Sequence, residues 1–386
     1  MNVVFLSPHF PPDFWRYCAA LRDAGASVLG IADVSQQDLR PELRRALTDY
    51  YRVDDLHAYG SLVRALGHFT YRHGRLDRID SLNEYWLETE AALRSDFNIP
   101  GIRVEDIDRI KRKSRMKRLF KRAGIRVAAG RVCRTPEQAR AFVREVGYPI
   151  VAKPDVGVGA ARTYRIGDDA DLHAYLADKP PTEYLLEELI PGRIVTFDGL
   201  ADRDGNVVLE ATLVYGTGVM ESVNLGVDIH YYVARGVPED LAEAGRAVAR
   251  AFGVRERPFH FEFFRLDDGS LVALEVNMRP AGGMTTDMVN YANDMDFHRA
   301  WARLVVHGRF DEVPSHRYYC VYVGRKAHRR YAMSHEAVLA EFAPMIVHHQ
   351  RMEDVFAAAM GSYGYLLRDP DLDPILGAAA AIQRAA

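Results

Sequence analysis

Cysteine is scarce: there are three in 386 residues, Cys18, Cys133 and Cys320, far apart and with no CxxC. That excludes a disulfide scaffold or a cysteine-built metal site, and predicts reduced thiols in the cytoplasm. No positively charged leader precedes an apolar segment, and no apolar run approaches the roughly 18 residues a membrane span needs, so no membrane partner is expected. Charge of one sign is lacking too. The formal net charge is −3 with 27% charged residues, and nothing in bulk favours nucleic acid. The first predicted strand is followed by SPHFPPDF rather than the glycine fingerprint of a dinucleotide fold. No Ser-His-Asp or Cys-His arrangement stands out, and no internal repeat. What remains is a globular chain, 48% apolar, with material for two to three domains.

From Met1 to about Arg103 strand and helix patterns alternate, as in a parallel α/β sheet. VVFL leads to FWRYCAALRDAG, with Phe14, Cys18 and Leu21 on one stripe, and RIDSL leads to NEYWLETEAALR, with Glu84 and Glu88 near a helix start. His9 and Pro11 either line a crevice at a strand's carboxyl end or merely turn the chain. From Arg109 to Arg122 nine of fourteen residues are basic. That run is a nucleic-acid patch or a solvated helix face whose buried side is Leu119, Phe120 and Ala123. Thr135-Pro136-Glu137-Gln138 forms a capping box with proline at the first helical position, opening a helix that ends at Gly147. A strand carrying Lys153 then enters a loop with Gly157 and Gly159, where backbone amides can approach an anion and the lysine adds a point charge, though a glycine-bearing hairpin turn reads the same way.

The stretch PFHFEFFRLDDGSLVALEVNMRPAGGM, Pro258 to Met284, carries acids that packing does not explain. It reads as a hairpin turning at Asp268-Gly269, the dipeptide of a two-residue type I′ turn. Counting back from that turn sets Leu266 against Leu271, Phe264 against Ala273 and Glu262 against Glu275. Opposed like charges are destabilising, so a cation belongs between the two acids. Asn277 shares their face by strand alternation. Two carboxylates and an amide oxygen are the hard donors that suit Mg²⁺. The alternative is a half-exposed hairpin whose polar face happens to be acidic.

Lys113, Lys153 with its glycine loop, Glu187-Glu188-Leu189-Ile190, Glu262 and the run Glu275-Val276-Asn277-Met278-Arg279-Pro280 together resemble the ATP-grasp family, over about residues 105–315, and within it the carboxylate–amine ligases. The resemblance implies an α/β and α+β multidomain chain. Residues 1–105 would be a Rossmann-like pre-ATP-grasp domain, 106–185 the small lid subdomain, 186–315 the large subdomain with the Mg-ATP site, and 316–386 a C-terminal extension packed on the core. It also implies an enzyme that joins a small-molecule carboxylate to an amine through an acyl phosphate, using ATP and two Mg²⁺, with a homodimer as its assembly. A carboxylase that makes carboxyphosphate from bicarbonate, and a nucleotide-binding protein without turnover, are the other readings.

Residue by residue, the resemblance gives Lys113 and Lys153 to the α- and β-phosphates, with the loop carrying Gly157, Gly159 and Ala160 closing over them. Glu187 would lie by the adenine amino group, and backbone atoms of Glu188, Leu189 and Ile190 along the ring. Glu262, Glu275 and Asn277 would hold the metal, Arg279 the acyl phosphate or substrate carboxylate, and His230 a phosphate. One departure stands out: where many relatives place a ribose-binding glutamate after Pro-Gly, this chain reads Gly192-Arg193-Ile194. That leaves Asp198 as the candidate ribose contact.

Overall fold

The computed structural model describes residues 1–157, 162–216 and 218–386. Short aliphatic runs near the N-terminus form a parallel four-stranded sheet from Asn2–Leu6, Ser27–Ala32, Asp49–Arg52 and Arg78–Asp80. The first strand lies between the second and the fourth. Both faces of the sheet are covered, one by Trp15–Asp23, where Cys18 and Leu21, with Phe14 capping the helix, are buried as the stripe predicts, the other by Tyr59–His73.

A small antiparallel sheet follows, built from Gly130–Val132, Tyr184–Glu188, Ile150–Pro154 and Tyr164–Ile166 and covered by Pro136–Val146 and Asp169–Asp178. Half of the expected capping box forms: Thr135 Oγ1 accepts from Gln138 N, but Gln138 Oε1 accepts from Arg134 N, one residue before the cap, rather than from Thr135 N. A ten-stranded sheet carries the rest. Its order runs Ile346–Arg351, Tyr363–Asp369, Tyr319–Arg325, His230–Val233, Leu213–Tyr215, Arg193–Ala201, Arg257–Arg265, Leu271–Asn277 and Arg126–Val127, with Val207–Ala211 pairing off Arg193–Ala201.

The sheets divide the chain at other places than the expected boundaries. Residues 126–127 pair with Val272 and Ala273 in the large sheet, and the strand Tyr184–Glu188 runs past residue 185. Three strands of the C-terminal segment continue the large sheet. The basic run is two helices, Val104–Lys111 and Lys113–Arg122, broken at Arg112, whose ψ of 114° is extended. Its buried side, Ile110, Met116, Leu119 and Phe120, packs under the large sheet with Phe197, Val248 and Phe261. All three cysteines are buried and unpaired. Among the described residues no helix is long and apolar enough to cross a membrane.

Strand alternation gives the large sheet two unlike faces. Phe197, Phe259, Phe261, Phe263, Ala273 and Val276 point into the core beneath the helix Glu239–Phe252. Thr196, Asp198, His260, Glu262, Glu275 and Asn277 therefore share the other face.

Candidate active site

The hairpin that carries the acids turns differently from the sequence expectation. Leu266 N bonds to Ser270 O and Gly269 N to Leu266 O, so the loop holds three residues, Asp267 to Gly269, with only Gly269 at positive φ (83°). This is a type I turn closed by a left-handed glycine rather than a two-residue type I′ turn. It sets Arg265 against Leu271 and Phe263 against Ala273. A bulge between Glu262 and Phe263 then absorbs one residue, so that Glu262 faces Glu275 and His260 faces Asn277. The expected pairs of Leu266 with Leu271 and Phe264 with Ala273 are wrong by one step. The acid pair is right because the bulge cancels the error.

The acids are met by a lysine from another segment and by a histidine of their own hairpin. Lys113 Nζ lies 3.0 Å from Glu275 Oε1 and 3.0 Å from the carbonyl of Gly157. His260 bridges Glu262 Oε1 at 3.0 Å and Asp198 Oδ1 at 2.7 Å, and Thr196 donates to the other Asp198 oxygen. Burial opposes charge on His260, but the two carboxylates prevail and raise its pKa to about 9. Burial likewise pushes Glu262 up, while His260, Arg279 and Lys113 hold it below the usual glutamate range.

Lys153 is buried, with Nζ 2.6 Å from Glu187 Oε2, and Lys117 Nζ sits 2.5 Å from Glu187 Oε1. At Lys153 the charges of Glu187, Glu275 and Glu262 outweigh burial and raise the pKa. At Lys117 burial wins and lowers it. Asp155, two residues after Lys153, takes Ser114 N and Oγ at 2.8 and 3.0 Å, and its carbonyl takes Lys113 N at 2.9 Å. The helix that presents Lys113 is thereby tied to the strand that presents Lys153.

The other expected positions fall as follows. Glu187 points at the two lysines. Glu188 Oε1 accepts from Ala129 N at 2.7 Å, Leu189 N bonds to Pro149 O at 3.3 Å, and Ile190 packs with Ala128 and Val272 at the crossing between the two sheets. Asp198 is taken up by His260 and Thr196, so the expected ribose contact is already engaged. Gly159 and Ala160 lie outside the described residues. Arg279 NH1 donates to Pro280 O at 2.8 Å and NH2 reaches Asn277 Oδ1 at 3.5 Å.

His230 is a correction. Its neighbour Tyr231 faces the site side, stacked on Tyr215, so alternation turns His230 to the other face. There its ring covers Gly216, where an added Cβ would meet Nε2 at 2.0 Å, and burial lowers its pKa. That face is not the one that carries Glu262, Glu275 and Asn277.

Three residues were missed. His260 could have been found, since it lies two before Glu262 on the same strand face. Lys117 could have been found one helical turn from Lys113. Asp155 had no local signal, because its partners are about forty residues away.

Among the described residues no three His, Cys, Asp or Glu converge closely enough to hold a metal alone. Glu262, Glu275 and Asn277 nevertheless fit Mg²⁺, which takes few carboxylates and completes its shell with phosphate oxygens and water. The ammonium of Lys113 and the ring of His260 already supply the positive charge that the opposed acids call for.

Comparison with known proteins bears out the resemblance. Residues 146–287 match the family model of an ATP-grasp domain. The carbamoyl phosphate synthase large chain of Beutenbergia cavernae is 27% identical over 236 residues, 58% of this chain and 21% of that one. The L-arginine-specific L-amino acid ligase of Bacillus subtilis is 26% identical over 249 residues, 62% of this chain and 60% of that one. The chain thus spans less than two thirds of either relative's length. The crystal structure of L-amino acid ligase from Bacillus licheniformis superposes with a TM-score of 0.74 at 15% identity, covering 99% of this chain and 96% of that one, which shows a shared fold.

Proposed function

We propose that this chain, whose residues 146–287 match an ATP-grasp domain, is an ATP-dependent carboxylate–amine ligase that works through an acyl phosphate and releases ADP and phosphate. The observation that carries the reading is the convergence of Glu262, Glu275 and Asn277 on one sheet face with Lys113 and Lys153 delivered against it from two other segments. Phosphoryl transfer asks little covalent work of a protein and much alignment and charge, which is what this face offers.

Lys113 and Lys153 bind the triphosphate, each leaving part of its carboxylate partnership when phosphate oxygens arrive. Glu262, Glu275 and Asn277 hold two Mg²⁺, with Asp198 and His260 fixing the orientation of Glu262. The metal, when bound, neutralises charge on the transferring phosphoryl group. Arg279, which no carboxylate pairs with among the described residues, holds the acid in line with the γ-phosphate. The carboxylate oxygen attacks phosphorus and ADP leaves; the amine nitrogen then attacks the acyl carbon, the C–O bond to phosphate breaks, and the amine's protons pass to the departing phosphate and solvent. Buried, unpaired cysteines fit a reducing cytoplasmic setting, and the homodimer expected for the assembly is checked by light scattering.

Hydroxylamine tests the reading. With ATP, Mg²⁺ and the correct acid it intercepts the acyl phosphate as a hydroxamate, in a screen over carboxylic acids scored also for ADP. ADP formation with bicarbonate alone would replace the ligase by a carboxylase, and no ADP with any acid would remove turnover.

A further inference from the structure

Glu84 is buried, 6% exposed, and its Oε2 has no hydrogen-bond partner among the described residues. The sequence explains where it sits. In the N-terminal sheet the first strand has the second on one side and the fourth on the other, so the direction of winding reverses between Asn2–Leu6 and Arg78–Asp80. Ligands of open parallel sheets bind outside the strand carboxyl ends at such a reversal. The loops leaving these two ends are Ser7–Pro11 and Ser81–Glu84. The first holds His9, whose Nδ1 is also buried and unpartnered. The second delivers Glu84.

The same edge of that sheet is held against the metal-face hairpin. Arg78 donates to Glu256 O at 2.6 Å, one residue before the hairpin strand Arg257–Arg265. Glu84 therefore lies within the influence of Arg279, Lys111, Glu275 and Arg257. Most of these charges are engaged elsewhere: Glu275 with Lys113 at 3.0 Å, Lys111 with Glu88 at 3.5 Å, and Arg257 with the Met278 carbonyl. Beside the reacting centre Arg279, which gives NH1 to the Pro280 carbonyl, has no carboxylate in ion-pair contact among the described residues, and Glu84 has no cation in such contact.

We infer that Glu84 is the docking residue for the amine of the second substrate, contributed by the N-terminal domain opposite the Arg279 that holds the acid. The inference rests on the ligase reading and deepens it. A carboxylate and an amine carry opposite charge in solution, and the two unmatched groups of the site are opposite in the complementary sense. An ionised carboxyl oxygen only accepts hydrogen bonds, so the ligand group must donate. Burial raises the pKa of this carboxyl although Arg279, Lys111 and Arg257 draw it down, so an ammonium brought into hydrogen-bond contact would favour its charged form. A second substrate carrying a primary or secondary amine is the class this subsite takes.

The test uses the full chain and probes that carry an ammonium but no carboxylate: glycinamide, L-alaninamide and L-leucinamide, titrated calorimetrically into enzyme with ADP and Mg²⁺. At least one should bind the wild type, and Glu84→Gln should weaken it tenfold or more while lowering hydroxamate formation far less. No binding to the wild type, or equal binding to both proteins, overturns the assignment. Equal losses of binding and hydroxamate would make Glu84 a support for Arg279 and also overturn it. If no acid gives ADP or hydroxamate, yet amide binding is lost in Glu84→Gln, the ligase reading falls and the subsite stands. Should Glu84→Gln fail to fold, Glu84→Asp keeps the charge and withdraws it by one methylene; weaker amide binding then supports the subsite and unchanged binding refutes it.

Discussion

Replacing Glu187 by glutamine asks whether this acid serves the nucleotide or the lysines. In the structure its two oxygens are 2.5 and 2.6 Å from Lys117 and Lys153, and all three groups are largely buried. Removing one member of a buried ion pair costs about 3–5 kcal/mol because the survivor stays buried and unpaired. Glutamine keeps one acceptor oxygen, which places the cost near the lower end, about 3 kcal/mol. The three tryptophans, Trp15, Trp86 and Trp301, lie outside the small sheet, so fluorescence would not see the loss. Amide exchange in the strands 150–154 and 184–188 would, and with about 1.4 kcal/mol per factor of ten it should quicken roughly a hundredfold. The pH dependence follows the same logic. Burial raises Glu187, but Lys153 and Lys117 lower it further, so the folded value lies below the unfolded one. Its stabilisation is present above the ordinary glutamate pKa and lost as pH falls through the folded value. The variant should therefore show a flatter acid limb. Exchange within about threefold of wild type at neutral pH, together with weaker ATP binding, would refute this assignment and return Glu187 to the adenine.

Glu275→Gln should abolish Mg²⁺-dependent ADP formation; relief of a like-charge pair by itself predicts a more stable metal-free protein, but the Lys113 contact reverses the sign, and a loss of about 1.5 kcal/mol should appear on unfolding in EDTA. Lys153→Ala should weaken ATP strongly, and Lys113→Ala likewise, whereas Lys111→Ala, whose ammonium faces Glu88, should change ATP titrations little; equal effects of the two helix lysines would contradict the break at Arg112. Arg279→Ala should lower hydroxamate yield far more than ATP affinity, since the guanidinium is assigned to the acid; equal losses would move it to the nucleotide.

What the sequence made legible was parity and order. Alternation put Glu262, Glu275 and Asn277 on one face, and the order of lysines, glycine loop and acids gave the domain type. The register between those acids came out right through two features that offset each other. A two-residue turn and a three-residue turn differ by whether Asp268 or only Gly269 takes positive φ, and Asp-Gly permits both. The bulge that restores the pairing leaves its mark in the core, where Ala273 and Val276, three apart, point into the same cluster. A polar and apolar pattern read with a strict period of two does not show such a step. The same parity rule, applied to Tyr231, would have turned His230 away from the site had the sheet neighbours of that strand been known.

The harder part to read was which charged groups are free. Glu187 and Asp198 occupy positions that the resemblance gives to the nucleotide, yet each is engaged by cations or donors brought from elsewhere in the chain: Lys117 and Lys153 for one, His260 from 62 residues away and Thr196 for the other. Glu84 looked like an ordinary acid at a helix start, where the helix dipole alone accounts for it. Its distinction is a buried oxygen with no hydrogen-bond partner among the described residues, and that depends on Lys111 turning to Glu88 and Lys113 to Glu275, choices made by packing between segments. A motif names the donors and acceptors of a site; the pairings across the fold decide which of them remain to meet a substrate. On the proposed assignment of Arg279 to the acid and Glu84, just after the strand Arg78–Asp80, to the amine, the two subsites would fall on opposite sides of a boundary between domains, and amine choice should follow the loops after Leu6 and Asp80 rather than the phosphate-binding core.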